Sequence, residues 1–280
     1  MKRRTDLPGW IGWLGRGGLR LIGFKSRMLA GGVHIMERAG TDERARDLLF
    51  IHGIGADLVN WAPTAFFLGR RDTIRLIDLP GHGASHDVAP INLDALNATI
   101  LNAVTGLPPS IVIGNSLGGA VALRLAVQAK SHVQALYLLS PAGPPMGPAD
   151  FKETIEQFDM PTWAHGRTFV RRLSGRYPVY GPLIVPVVLR IFARPFLHQL
   201  RATFTPEGAL TAAEAQAIRI PVTLSWGARD GMLPVSLRDW LVEHIPDVER
   251  HDPADEAHSP QMEHPLRIAR RIRRFIDRVS

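Results

Sequence analysis

Apolar residues along this chain gather in short runs, each closed by a polar or glycine-rich turn. Residues 46–51 (RDLLFI), 73–78 (TIRLID), 110–114 (SIVIG), 133–139 (VQALYLL) and 220–226 (IPVTLSW) have the length and composition of buried strands. Residues 25–39 read as two further short strands around Gly31-Gly32, and a last strand is expected near Val248 to Asp252. A helix follows the SIVIG run as far as about Lys130, and Pro265 to Val279 reads as a basic amphipathic helix. Short apolar strands alternating with helices predict an α/β protein with a mostly parallel central sheet, covered by helices on both faces.

The alternation breaks between about Pro144 and Ala217. That stretch has helical segments, many prolines, and aromatics from Phe151 to Phe196. It is expected to be a helical cap inserted after the sixth strand. The expected organisation is therefore an N-terminal arm (1–24), a core made of 25–143 and 218–280, and a cap (144–217). No internal repeat or low-complexity tract is present.

Composition narrows the chemistry. At 280 residues the chain is long enough to bury a sizeable core, and 45% hydrophobic with 21% charged residues is ordinary for a globular protein. It has no cysteine, which excludes disulfides, thiolate metal sites and cysteine nucleophiles. The net charge is +7 and comes from arginine, since lysine occurs only at positions 2, 25, 130 and 152. Genomic composition is one reading of that bias. The functional reading is attraction to an acidic carrier protein or an anionic membrane surface. The basic residues are not interleaved with aromatics in one stripe, so no nucleic-acid partner is expected.

The N-terminus begins basic and then apolar, but Arg16 and Arg20 interrupt it, glycines weaken any helix there, and no clear cleavage site follows. No run reaches the roughly 18 apolar residues of a membrane span. Trp10, Trp13, Leu14, Leu21 and Ile22 with the two arginines fit an arm lying on a membrane surface, or one packed on the domain. The expected location is cytoplasmic, peripheral at the inner membrane surface.

In open α/β sheets, ligands sit at the carboxyl ends of strands, so the turns after the apolar runs are where chemistry is expected. Gly114-Asn115-Ser116-Leu117-Gly118 is a G-x-S-x-G turn between a strand and a helix. Such a turn lifts the serine hydroxyl clear of the sheet, and its glycines remove side chains that would strike the neighbouring elements. Ser116 is thus a candidate nucleophile, against the simpler reading of a packing turn. A serine nucleophile needs a base and an orienting acid. Asp230, in the turn after IPVTLSW, is better placed than Asp239 in a predicted helix or Asp252 at a strand end. His258, in the next strand-end loop, is favoured over His251 inside a strand and His264 at a helix start. The backbone N–H groups of Leu117 and Ile54 are the candidate oxyanion donors. His52 is read as packing within its loop.

Five motifs in order, HGIG (52–55), DLPGHG (78–83), GNSLGG (114–119), WGARDGMLP (226–234) and HSPQMEHP (258–265), resemble those of capped, esterase-like α/β-hydrolase fold proteins. The resemblance covers about residues 25–280. It implies the order serine, acid, histidine, and a lid over the site. Ala257 departs from the glycine usual before the histidine. Asn115, Phe158, Trp163 and Met232 are the side chains expected to touch substrate. No metal and no organic cofactor is expected.

Two reactions fit. DLPGHG and HSPQMEHP resemble carboxylesterases and lipases, which implies a small hydrophobic ester or thioester substrate and an acyl-enzyme intermediate. Asn115 and the Ser140-Pro141-Ala142-Gly143 turn resemble hydrolases that cleave carbon–carbon bonds in ring-opened aromatic dienoic acids. Those enzymes usually carry tryptophan directly after the histidine, where this chain has Ser259. A non-catalytic, ligand-binding member of the same fold is the third reading, and the complete Ser116, Asp230 and His258 set argues against it.

Overall fold

The computed structural model describes residues 9–88 and 92–279; the expectations for residues 1–8 and for the Trp10 and Trp13 side chains lie outside it. Eight strands form one sheet: β1 (Lys25–Met28), β2 (His34–Arg38), β3 (Asp47–Ile51), β4 (Thr73–Ile77), β5 (Ser110–Asn115), β6 (Val133–Leu139), β7 (Val222–Ser225) and β8 (Glu249–His251). Their spatial order is β1-β2-β4-β3-β5-β6-β7-β8. The β1–β2 and β2–β4 pairs are antiparallel and every later pair is parallel. Every strand expected from the apolar runs is present.

The helices among the described residues are α1 (Gly9–Leu21), α2 (Ala62–Phe67), α3 (Leu93–Val104), α4 (Leu117–Gln128), α5 (Pro148–Glu156), α6 (Trp163–Leu173), α7 (Gly181–Phe192), α8 (Pro195–Ala202), α9 (Ala212–Gln216), α10 (Ser236–His244), α11 (Pro260–Glu263) and α12 (Pro265–Arg278). Side chains alternate across the sheet. Leu49 and Ile51 of β3 join the core under α3, α4 and α10, while Leu48 and Phe50 join the core under α2 and α12. In α12, Ile268, Ile272, Phe275 and Ile276 are buried at helical spacing, and the intervening arginines are turned outward or paired.

Residues 9–21 are helical despite their glycines. Leu19 is buried beside Phe24, and a Cβ at Gly15 would lie 2.2 Å from the Val59 side chain, so a glycine there permits close approach to the body. Arg16 reaches inward to Asp57 (3.1 Å) and Asp78 (3.2 Å). Between β6 and β7, α5–α9 carry a small core of their own, in which Phe158, Phe169, Val185 and Phe192 meet Met232 of the main body.

Candidate active site

The sheet order sets β3, β5, β6, β7 and β8 side by side, so the loops leaving their carboxyl ends meet along one edge. Ser116 stands between β5 and α4 at φ 55°, ψ −121°, a strained conformation for a non-glycine residue. The turn is possible because its neighbours lack side chains. A Cβ on Gly118 would sit 2.2 Å from the Ile51 carbonyl oxygen, and one on Gly114 would sit 2.5 Å from the Gly118 carbonyl oxygen. The Leu117 N–H opens α4, where no earlier helical carbonyl is available to it and the helix end is electropositive.

Asp230 and His258 meet as expected from their loops. His258 Nδ1 lies 2.8 Å from Asp230 Oδ2, and the two side chains are almost fully buried. Asp230 Oδ1 accepts the N–H groups of Met232 (2.8 Å) and Leu233 (3.2 Å). Burial pushes the Asp230 pKa up, but His258, the Ser140 hydroxyl and the Met232 amide outweigh it and hold the carboxyl below its ordinary value. An ionised Asp230 keeps the proton on Nδ1, which leaves Nε2 as the acceptor of a neutral imidazole. Among the described residues no hydrogen bond joins the Ser116 hydroxyl to His258. Both line one cavity, together with Ile54, Phe158 and Met232. Catalytic hydrogen bonds are often long before substrate binds.

Ile54 lies in the loop after β3, facing the same cavity. Two buried histidines pin that loop. The Gly55 N–H donates to His82 Nε2 (3.2 Å), whose Nδ1 donates to the Pro80 carbonyl (3.0 Å). The Leu79 N–H donates to His52 Nε2 (3.0 Å), whose Nδ1 donates to the Gly53 carbonyl (2.8 Å). Burial lowers both pKa values, that of His82 to about 3, so both rings are neutral at pH 7 with one tautomer fixed. His52 therefore holds its loop, as read from sequence. The role of His82 was not read; its signal was the DLPGHG turn after β4, the strand beside β3.

One expectation is corrected. Trp163, expected at the substrate, is 48% exposed at the start of α6 and lines none of the cavities around Ser116, because α6 turns Phe169 and Val170 inward instead. Asn115 borders the cavity but is 3% exposed, and its amide is taken up by the protein. It donates to the carbonyls of Leu139 (3.0 Å) and His258 (2.9 Å) and accepts from Gln261 Nε2 (2.9 Å). Its amide thus holds the histidine loop at the border of that cavity. Phe158 and Met232 do line the cavity.

Sequence reasoning also missed Ser140 and Gln261. Ser140 leaves the end of β6, the strand between those that present Ser116 and Asp230; its turn was singled out in the sequence, but not its hydrogen bond to Asp230. Gln261, fully buried, ties Asn115 to Asn60. The rival residues lie elsewhere: Asp239 pairs with Arg238 on α10, Asp252 pairs with Arg250, His251 lies in β8, and His264 stands at the junction of α11 and α12. The C-terminal carbonyls of α6 receive both loops: Gly231 N–H donates to Arg172 (3.2 Å) and His258 N–H to Leu173 (3.1 Å). Among the described residues no three His, Asp or Glu side chains are grouped as a metal site requires.

A second, mostly apolar chamber runs from Ser116 along the outer side of α4, past Ala120 and Leu123 to Arg124, and is closed by Phe151, Ile155, Phe204 and Leu210. Ser116, Ile54 and Phe158 border both spaces.

Residues 48–271 match the model of the alpha/beta hydrolase family. The chain belongs to that family. It is 28% identical over 253 residues to the pimeloyl-[acyl-carrier protein] methyl ester esterase of Chromobacterium violaceum, covering 82% of this chain and 94% of the relative. The corresponding enzyme of Nitrosomonas europaea is 30% identical over 212 residues, covering 71% and 83%. A solved structure of a membrane phospholipase A, described as a bacterial virulence factor, superposes with a TM-score of 0.80 at 25% identity, covering 97% of this chain and 92% of that one.

Proposed function

We propose that this ester hydrolase is a serine enzyme that cleaves carboxylic esters or thioesters of medium, hydrophobic acyl groups. The observation that carries the reading is that one serine borders both the buried His258–Asp230 pair and the start of a long apolar chamber. Ser116 Oγ attacks the carbonyl carbon and its proton passes to His258 Nε2. The N–H groups of Leu117 and Ile54 receive the oxyanion. His258 returns the proton to the leaving alcohol or thiol, leaving an acyl group on Ser116. Water then repeats the sequence and releases the acid. Asp230 stabilises the imidazolium throughout. These groups account for every step without a metal or an organic cofactor.

The acyl chain is assigned to the chamber along α4. From Ser116 to Arg124 the helix rises about 12 Å. An extended chain advances about 1.2 Å per bond, so some ten carbons fit. The small leaving group occupies the space beside His258. The named substrates of the two esterase relatives are acyl esters whose far end is held by a carrier protein, which supports an ester with a long acyl arm.

The test is a panel on purified protein: p-nitrophenyl esters of two to sixteen carbons, a carrier-bound acyl methyl ester, and a ring-opened aromatic dienoic acid. Highest kcat/KM is expected on esters of about eight to ten carbons, the length set by the α4 chamber. A clear preference for the dienoic acid would replace the ester reading with carbon–carbon cleavage.

A further inference from the structure

The α6–α7 hairpin presents an outer side that no protein surface in contact with water alone requires. In α7, Arg190 is the single charged residue, and every other side chain is apolar or absent. A helix apolar on all sides belongs inside a protein or against lipid. Yet α7 is buried on one side only. Val185, Val188, Ile191 and Phe192 face the inner cluster, whereas Leu183 is 76% exposed, and Val179 in the preceding loop is fully exposed. On α6, Trp163, Arg167 and Arg171 follow at i, i+4 and i+8 and are all exposed, forming one stripe opposite the buried Phe169 and Val170. Gly166 of α6 packs on Val185 and Leu189 of α7, so the two helices form one hairpin.

The charge carried by the hairpin's own segment has one sign. From Met160 to Pro206 the chain contains no Asp or Glu and seven arginines. Arg172 is paired with Glu153 (2.8 Å), and Glu263 faces Arg176, while Arg171 and Arg190 are exposed on the two helices of the same hairpin. Exposed aliphatic side chains on a segment that carries seven arginines and no acid of its own match an anionic lipid surface: the apolar tips enter the interface and the guanidinium groups meet the headgroups. Among the described residues no single helix is long and apolar enough to span a membrane, and α7 and α8 bend by 67° between them, so contact is along a surface.

We propose that the outer side of the α6–α7 hairpin docks this protein on anionic membranes. The inner side of α7 lines the cavity beside His258, so one helix separates lipid from the site. The proposal stands apart from the ester reading, because binding is measured without turnover.

The test is flotation of the full chain with phosphatidylcholine vesicles, with and without phosphatidylglycerol. Binding is expected only with the anionic lipid, and is expected to weaken at least tenfold in 0.5 M salt. Val179→Asp with Leu183→Asp, and separately Arg171→Glu with Arg190→Glu, should each lower binding at least tenfold while leaving turnover of a short soluble ester unchanged. These positions are exposed, and circular dichroism reports whether each variant folds. A milder pair, Val179→Ser with Leu183→Ser, should give an intermediate loss. Absence of binding to anionic vesicles, or binding unaffected by either pair, overturns the proposal. Two other results overturn it in favour of another occupant. One is capture of an acidic acyl-carrier protein that depends on the arginines alone. The other is a dimer, seen by sedimentation, that Val179→Asp with Leu183→Asp dissociates.

Discussion

Two Ser–His–Asp arrangements stand among the described residues, and the better hydrogen-bonded one is not the candidate active site. Ser26 Oγ lies 2.7 Å from His34 Nε2, and His34 Nδ1 lies 2.8 Å from Asp78 Oδ2, a complete chain of hydrogen bonds. In the Ser116 set only the His258–Asp230 link is closed. The surroundings decide between them. Ser26 sits in the regular edge strand β1, on an exposed surface, whereas Ser116 sits on a strained turn, ahead of a helix N-terminus, with a cavity on each side. The two carboxylates also differ. Asp78 is saturated by the Leu58 and Ala84 amides, by His34 and by the Arg16 guanidinium. Its charge is spent on holding α1 and the DLPGHG turn. Asp230 has no arginine partner among its named contacts, so its charge acts on His258. A relay of three side chains is therefore a structural device by default. It becomes a catalytic one when backbone donors and an open substrate space converge on the serine.

The sharpest way to break this comparison is to remove the hydroxyl at Ser116. Ser116→Ala should lower ester turnover by about four to six orders of magnitude with the fold intact. Retention of near-normal hydrolysis would end the mechanism proposed above.

Next in size is a contrast between the two carboxylates. Asp230→Asn should cost about four orders of magnitude in kcat and little stability, because the amide still accepts the Met232 N–H but no longer fixes the Nδ1 proton. Asp78→Asn should do the reverse, losing about 1–3 kcal/mol of stability, because Arg16 keeps Asp57 but the buried cluster loses the charge that Arg16 and His34 share. Burial raises the Asp78 pKa, but His34, Arg16 and the Ala84 amide overcome it and bring the value down from 3.8 to about 2. A carboxyl depressed in the folded state stabilises fully above its unfolded pKa, and that stability is lost as pH falls through the folded value. Urea unfolding should thus show the gap between wild type and Asp78→Asn constant above about pH 5 and shrinking below it towards pH 2. An unchanging gap over that range would mean that Asp78 acts through shape rather than charge.

The sequence was most legible where one local pattern dictates both chemistry and backbone. The run into Ser116 needs an apolar strand, glycines that admit the Ile51 and Gly118 carbonyls, and a helix, and all three are contiguous in the chain. Asp230 and His258 were legible because each follows a recognisable strand at the same edge of the sheet. Contacts made across the fold were not. Ser26 and His34 meet only through the β1–β2 register, and Asp78 joins them from a third strand end. The α1 helix was obscured by glycines that each cost about 1 kcal/mol in isolation. Its stability comes from Leu19, from the close approach at Gly15 and from Arg16, a residue that in sequence only looked like an interruption. Trp163 misled because an aromatic on an amphipathic helix does not announce which way it faces until the partner helix is placed.

The smallest effect belongs to Ser26, and it tests the comparison most directly. Ser26→Ala removes one hydroxyl that donates to a histidine ring at a strand edge, a loss of about 0.5–1.5 kcal/mol in stability. The histidine keeps its bond to Asp78, and the loop that carries Asp78 keeps its own amide donors, so nothing reaches the cavity beside Ser116. Ester turnover should stay within about twofold of wild type, as for a surface change remote from the site. A fluorophosphonate probe followed by peptide mass spectrometry should label Ser116 in both proteins and leave Ser26 unlabelled. The reason is that a hydrogen-bonded serine without oxyanion donors gains little nucleophilic advantage from its histidine. Labelling at Ser26 that disappears in His34→Ala would show that the relay activates a serine even in a regular strand, and the distinction drawn between the two sets would then have to rest on substrate access alone.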